Sequence, residues 1–172
     1  MAFAAREEMC LDQLIFVPAN LSPFKQENSP APEQLRMKML RLALAGLDWC
    51  AVSDVELRRG GVSYTVDTVR ELRGTFAGSQ LFLLIGEDNL VGLSSWHEAD
   101  ELKKQVEFLV VPRPGLPPSP GVAGLKAHRL TGWPIEVASS TIRQRIREGL
   151  PVEHLVPPAV IDVIHHNRLY LP

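Results

Sequence analysis

The segment VASSTIRQRIREG, residues 137 to 149, sets three hydroxyls, Ser139, Ser140 and Thr141, directly ahead of Arg143 and Arg145. One hydroxyl oxygen is enough to cap a helix, because it accepts a bond from a free N–H of the first turn. The same N–H groups, with the helix dipole behind them, form an anion site that hydroxyl and guanidinium donors would complete. Capping and phosphate binding both stay open on these residues alone. Elsewhere, GED (86 to 88) follows an apolar run. Gly86 there can admit a ligand to the backbone while Asp88 accepts from a ribose hydroxyl, or Gly86 turns the chain and Asp88 caps the next helix.

Other residues carry weaker chemistry. SYT (63 to 65) opens a helix. Thr65 is the expected cap, and the backbone N–H groups beside it can hold a carboxylate. Trp96, in the polar segment SSWHE, can stack on a flat or cationic ring or pack into the core. Lys25, after a Pro-Phe pair, can reach a phosphate or stay solvated. His165 and His166 are adjacent on a helix, face different ways and receive no function. No GxxxxGK[ST], complete GxGxxG, HExxH or GxSxG is present in the sequence.

The elements that must position these residues alternate along the chain. After a short helical start, LIFVP (14 to 18) reads as a buried strand closed by proline. Leu35, Met39, Leu42, Ala43 and Leu47 form one face of a helix. CAVSDVEL (50 to 57) is strand-like with uneven alternation, and TVDTVREL (65 to 72) is a helix stopping at Gly74. LFLLIG (81 to 86) and VEFLVV (106 to 111) are apolar strands flanking a polar stretch of helical character. A Pro- and Gly-rich loop, a last strand near 135 to 138, the helix of the hydroxyl run and a final helix near PAVIDVIHHN complete the chain. Strands apolar throughout are buried on both faces, and with helices between them they imply a doubly wound parallel α/β sheet. Ligands of such sheets lie beyond the carboxyl ends of the strands, where NLSPFK, GED, PRPG and ASST fall. One domain over 1–172 is expected, without internal repeats.

Composition narrows the class. The chain has 172 residues, 45% hydrophobic and 22% charged, and a net charge of −2, which offers no bulk attraction to nucleic acid or an acidic membrane. Cys10 and Cys50 fit neither a disulfide framework nor zinc spacing, so a reducing cytoplasm is the expected location. No apolar run approaches the ~20 residues that span a bilayer, and the acidic start MAFAAREEM has no export-signal core.

Taken in order, VPANLSPFK, SYTVDTVREL, LLIGEDNLVGLSSWHEADEL, FLVVPRPG and VASSTIRQRI resemble successive segments of bacterial nicotinate mononucleotide adenylyltransferases, from about residue 2 to the end. The resemblance implies a Rossmann-like nucleotidyltransferase that makes deamido-NAD. The 5′-phosphate of nicotinate mononucleotide attacks the α-phosphate of ATP, with Mg²⁺ carried by the phosphates. It gives Ser139, Ser140, Thr141 and Arg143 a role on the triphosphate besides capping, and Gly86 and Asp88 a place near the adenosine. Tyr64, Thr65, Trp96 and His97 are implied to surround the nicotinate ring, with the N–H groups of Thr65 and His97 at its carboxylate. Lys25 falls at a basic position used for phosphate, and Arg113 is a weaker nucleotide candidate. Phe24 stands where the family often has histidine.

The family also begins with a strand and a GGTFDPxHxGH-type loop whose two histidines and amides contact the ATP phosphates; this chain starts at MAFAAREEM, inside the segment resembling the first helix. Losing a central strand of about five buried residues would remove on the order of 10 kcal/mol, comparable to a whole domain's stability. The expectation is therefore an internal starting methionine, no catalytic residue within these 172, and little or no activity without the loop. Two other readings stay open: an adenylyltransferase for nicotinamide mononucleotide or a related phosphorylated acceptor, and a noncatalytic nucleotide-binding protein. Whether the protein forms a homo-oligomer is left open too.

Overall fold

The computed structural model describes residues 1–24, 31–113, 124–132 and 137–171. Helix α1 (Ala2–Met9) leads to β1 (Leu14–Phe16), and α2 (Glu33–Ala43) crosses over to β2 (Cys50–Val52). These two strands pair in parallel, with Leu14 opposite Cys50 and Phe16 opposite Val52. Helices α3 (Val55–Arg59) and α4 (Thr65–Thr75) precede β3 (Phe82–Gly86), α5 (Glu87–Val91), a 3-10 turn (Leu93–Ser95), α6 (Ala99–Gln105) and β4 (Glu107–Val111). Strand β5 (Ala127–Arg129) and helices α7 (Ser139–Arg147) and α8 (Pro158–His166) complete the order.

The expected parallel α/β architecture is present, arranged as two sheets, β1-β2 and β3-β4-β5, with every pairing parallel. Strand β4 explains why FLVV (108 to 111) is apolar throughout, whereas Glu107 at its start is partly exposed and faces His128 at 2.8 Å. Phe108 and Val110 pack with Val66 and Val69 of α4, Leu90 of α5 and Leu102 of α6. Leu109, one residue out of phase, packs instead with Ala5 of α1 and Leu130. Side chains alternate across a strand, so a strand covered by helices on both faces needs apolar residues at every position. Phe108 is fully buried, and Phe108→Ala would cost about 3 to 5 kcal/mol. A separate cluster joins Ile146 of α7 to Val160, Ile161 and Ile164 of α8, with Met39 and Leu42 of α2 against it.

Helix α1 touches the surroundings of both sheets. The Phe3 ring meets Trp49, the residue before β2, edge-on at 5.0 Å, and the Arg6 guanidinium sits 4.8 Å from the same ring. At the other sheet Glu8 accepts the N–H groups of Thr131 and Gly132, each at 2.8 Å. Gly132, at φ 40°, lies so close to α1 that a Cβ would come within 2.8 Å of Met1 Cε and 3.1 Å of Ala4 Cβ. Ala4 and Ala5, the buried residues of α1, are small enough for this approach.

Five expectations change. Helix α2 ends at Ala43, so Leu47 lies beyond it instead of on its apolar face. Strand β1 is only partly buried and Leu84 of β3 is exposed, so neither strand is covered on both faces. The strand of 50 to 57 ends at Val52, because Asp54 becomes the N-cap of α3 and Val55 turns inward as a buried helical residue. Helix α4 runs through Gly74 to Thr75 instead of stopping there. The strand expected near 135 to 138 falls partly outside the described residues, and Val137 and Ala138 are not in strand. Strand β5, which no apolar run announces, is exposed along its whole length. The β4 backbone recruits it: Phe108 N–H donates to the Lys126 carbonyl at 2.8 Å and Leu130 N–H to that of Val110 at 3.0 Å.

Candidate active site

The carboxyl ends of β3 and β4 bring GED and Arg113 together. Gly86 is the N-cap of α5, so Glu87 and Asp88 occupy its first turn, where the dipole favours acids. Asp88 accepts from Arg113 Nε at 3.0 Å and from Nη2 at 3.1 Å. A carboxylate has about four lone-pair sites, so two remain for a ribose hydroxyl. Gly86 has an added steric reason: a Cβ there would collide with the Asp88 carboxylate. Glu87, the neighbour of Asp88, is buried and turns instead to Arg129 of β5, whose Nη2 donates at 2.9 Å. That bond holds the Arg129 guanidinium above its ordinary pKa.

A second group gathers at the start of α4. After β1 the chain is stitched to the segment ahead of α4: Asn20 N–H donates to Ser63 Oγ at 2.9 Å, Asn20 Nδ2 to the Gly61 carbonyl at 2.9 Å, and Ser63 N–H to the Leu21 carbonyl at 2.8 Å. Arg36 of α2 holds the same loop, donating to the carbonyls of Ala19 and Ala31. The Tyr64 ring consequently lies 4.2 Å from the His97 ring, and the Phe24 ring 6.3 Å from Trp96. Trp96 has the core packing that was one of its two expected roles. It is half-buried against the core of α4, β3 and β4, and it faces a second aromatic ring. Phe24 itself is 63% exposed.

The capping expectations are corrected. Tyr64, not Thr65, is the N-cap of α4, because the Tyr64 carbonyl takes the first helical bonds, from Asp67 at 3.2 Å and Thr68 at 3.3 Å. Ala138 is likewise the N-cap of α7, its carbonyl accepting from Ile142 at 3.1 Å. Ser139, Ser140 and Thr141 are therefore the exposed first helical residues, and none is the cap. Arg143 lies 5.9 Å from the Tyr170 ring. Lys25 lies outside the described residues.

Residue-level reading missed Asn20, Ser63 and Glu87. Ser63 stood inside the quoted SYT and Glu87 inside GED; what each does depends on partners 42 or 43 residues away. A groove of about 650 Å³ lined by Lys38, Arg41, Asp54 and Arg58 contains none of the candidate residues, and Asp54 there is already paired with Arg58 at 2.8 Å. Among the described residues no three His, Cys, Asp or Glu side chains gather as metal ligands, and no helix is long and apolar enough to cross a membrane.

Comparison with known proteins gives consistent matches. The model of the cytidylyltransferase-like family matches residues 1–145. The chain is 38% identical over 170 residues to the protein named probable nicotinate-nucleotide adenylyltransferase of Opitutus terrae, covering 98% of this chain and 87% of that one. It is 37% identical over 178 residues to the protein of the same name from Bordetella pertussis, at 99% and 88% coverage. Among solved structures it resembles Plasmodium falciparum nicotinic acid mononucleotide adenylyltransferase complexed with NaAD, with a TM-score of 0.74, 16% identity, and 98% and 90% of the two chains covered. At that identity the structural likeness speaks for the Rossmann-like nucleotidyltransferase fold.

Proposed function

Because the chain belongs to the cytidylyltransferase-like family and, within it, to the nicotinate-nucleotide adenylyltransferases, we propose that it transfers the adenylyl group of ATP to nicotinate mononucleotide. A phosphate oxygen of the mononucleotide forms a bond to the α-phosphorus, the bond from that phosphorus to the bridging oxygen breaks, and pyrophosphate leaves with the electron pair. The products are deamido-NAD and pyrophosphate. No protein nucleophile takes part, so the protein's work is positioning and stabilisation of charge on the phosphoryl oxygens.

The observation that carries this reading is the two ring pairs, Tyr64 with His97 and Phe24 with Trp96, formed by residues from the start of α4 and from the segments beside it. The pyridinium ring of nicotinate mononucleotide is flat and cationic, and aromatic faces attract such rings. Thr65 is the first residue of α4, so its N–H has no acceptor within the helix and is free to meet the carboxylate of the ring. The N–H of His97 meets the other side of that carboxylate. The Asp88–Arg113 pair, with Gly86 giving room beside it, takes the adenosine side. Ser139, Ser140, Thr141 and Arg143 meet the triphosphate at the amino end of α7, and Lys25 reaches a phosphate. Mg²⁺ arrives on ATP as part of the substrate and offsets phosphate charge. Two free cysteines and these substrates suit the cytoplasm.

The protein should release pyrophosphate from ATP with nicotinate mononucleotide, and use the nicotinamide analogue poorly, because the amide lacks the charge that the N–H groups meet. Binding of ATP without pyrophosphate release from either acceptor would favour a noncatalytic nucleotide-binding role. Better use of the amide would overturn the assignment of the acid.

A further inference from the structure

The turn that presents Trp96 and His97 is held from outside. Glu98, which follows them and caps α6, is left-handed, with φ 47° and ψ 44°. Residues with a Cβ rarely adopt this conformation, so local preference opposes the turn. The compensating contact comes from α4. Arg70 grips the Glu98 carboxylate with both arms of its fork: Nη1 stands 3.3 Å from Oε1, and Nη2 donates to Oε2. Nη1 also donates to Asp67 Oδ1 at 3.0 Å, which orients the guanidinium. Glu98 Oε1 lies 3.4 Å from His97 Nε2 as well. A lone surface ion pair usually contributes little, but two-bond arginine forks within a network are the geometry in which such pairs count.

Arg70 stands on the same helix that begins with Thr65, one to two turns further along. One rigid element therefore carries both the Tyr64 side of the aromatic cluster and the clasp on its opposite side. We propose that Arg70 and Glu98 form a latch that positions His97 against Tyr64, and Trp96 beside it, and so sets the affinity for the pyridine mononucleotide without touching it. Both are positioning residues. The proposal rests on the assignment of the pyridine ring to this cluster.

The test uses the full-length protein with Arg70→Ala and with the charge swap Arg70→Glu, Glu98→Arg, reading KM for each substrate and amide hydrogen exchange of residues 96–99 without substrate. Arg70→Ala should raise the KM for nicotinate mononucleotide roughly three- to tenfold, with kcat and the KM for ATP within about twofold. Exchange at 96–99 should quicken in that variant while the rest of the molecule exchanges as before, and the swap, which sets like charges beside Asp67 and His97, should restore both readouts in part. Equal rises in both KM values with a lowered melting temperature would reduce the pair to a structural contact and overturn the proposal, as would unchanged exchange at 96–99. If the unaltered protein neither binds nor turns over nicotinate mononucleotide, the functional assignment fails, and the exchange measurement alone decides the latch.

Discussion

Arg113 and Asp88 meet in a two-bond fork across 25 residues of sequence, joining the turn after β3 to the segment after β4. Both side chains are about half exposed, at 52% and 44%, so the pair contributes little to stability and its carboxylate remains reachable. Asp88→Asn keeps the shape and removes the charge. It should lower kcat/KM for ATP roughly 10- to 100-fold, the range for a lost hydrogen bond to a charged group, with an unchanged melting curve. A purely structural pair would show the reverse pattern.

Gly86→Ala probes the same site by volume alone. Its backbone, at φ −77° and ψ 155°, suits any residue, but the added methyl meets the Asp88 carboxylate. The variant should fold, as circular dichroism would show, and lose ATP use to about the extent that Asp88→Asn does. Retained activity would mean that Asp88 reaches the nucleotide from another rotamer.

For Trp96 the two roles separate by substitution. Trp96→Ala removes a half-buried ring from the core and a stacking face from the site, so both stability and the KM for nicotinate mononucleotide should suffer. Trp96→Phe retains most of the packing. Its KM should rise by a factor of about 2 to 30 at most, the span of a cation–π contact, and more for the mononucleotide than for ATP.

The hydroxyl run can now be tested free of the capping question. With Ala138 at the N-cap, Ser140→Ala removes no cap bond, and stability should move by less than about 0.5 kcal/mol. A fall in kcat/KM for ATP would then belong to phosphate binding. Unchanged ATP kinetics in this variant would remove Ser140 from the site.

Glu8 predicts a pH dependence. The N–H groups of Thr131 and Gly132, in that order of weight, hold its carboxyl below the ordinary value of 4.5. A carboxyl with a lowered folded-state pKa stabilises the fold above its unfolded value, and that stabilisation is lost as pH falls through the folded-state value. Glu8→Gln should therefore melt lower than the unaltered protein at pH 7, and the two melting temperatures should converge as the pH drops below 4.5. A constant difference down to pH 3 would mean that the Glu8 charge is not what ties α1 to the segment after β5.

Local sequence determined the elements whose signal is local. Apolar runs announced β1, β3 and β4, although only β4 is buried on both faces, β1 being partly buried and Leu84 of β3 exposed, and helical patterns announced α2 and α4. The ordered segments carrying GED, SYT, SSWHE and ASST likewise sufficed for the family. Tertiary structure decided the rest, because each remaining feature depends on distant partners. Strand β5 exists through the free edge of β4, not through its own exposed residues. Both helix caps fell one residue earlier than the hydroxyls suggested, since a carbonyl accepting the first helical bond defines the cap whatever side chain follows. Within GED, the two adjacent acids look alike in sequence; only packing sends Glu87 inward to Arg129 and leaves Asp88 with Arg113 at the surface. The left-handed turn at Glu98 is the clearest case, because its own residue disfavours it and an arginine 28 positions away holds it in place.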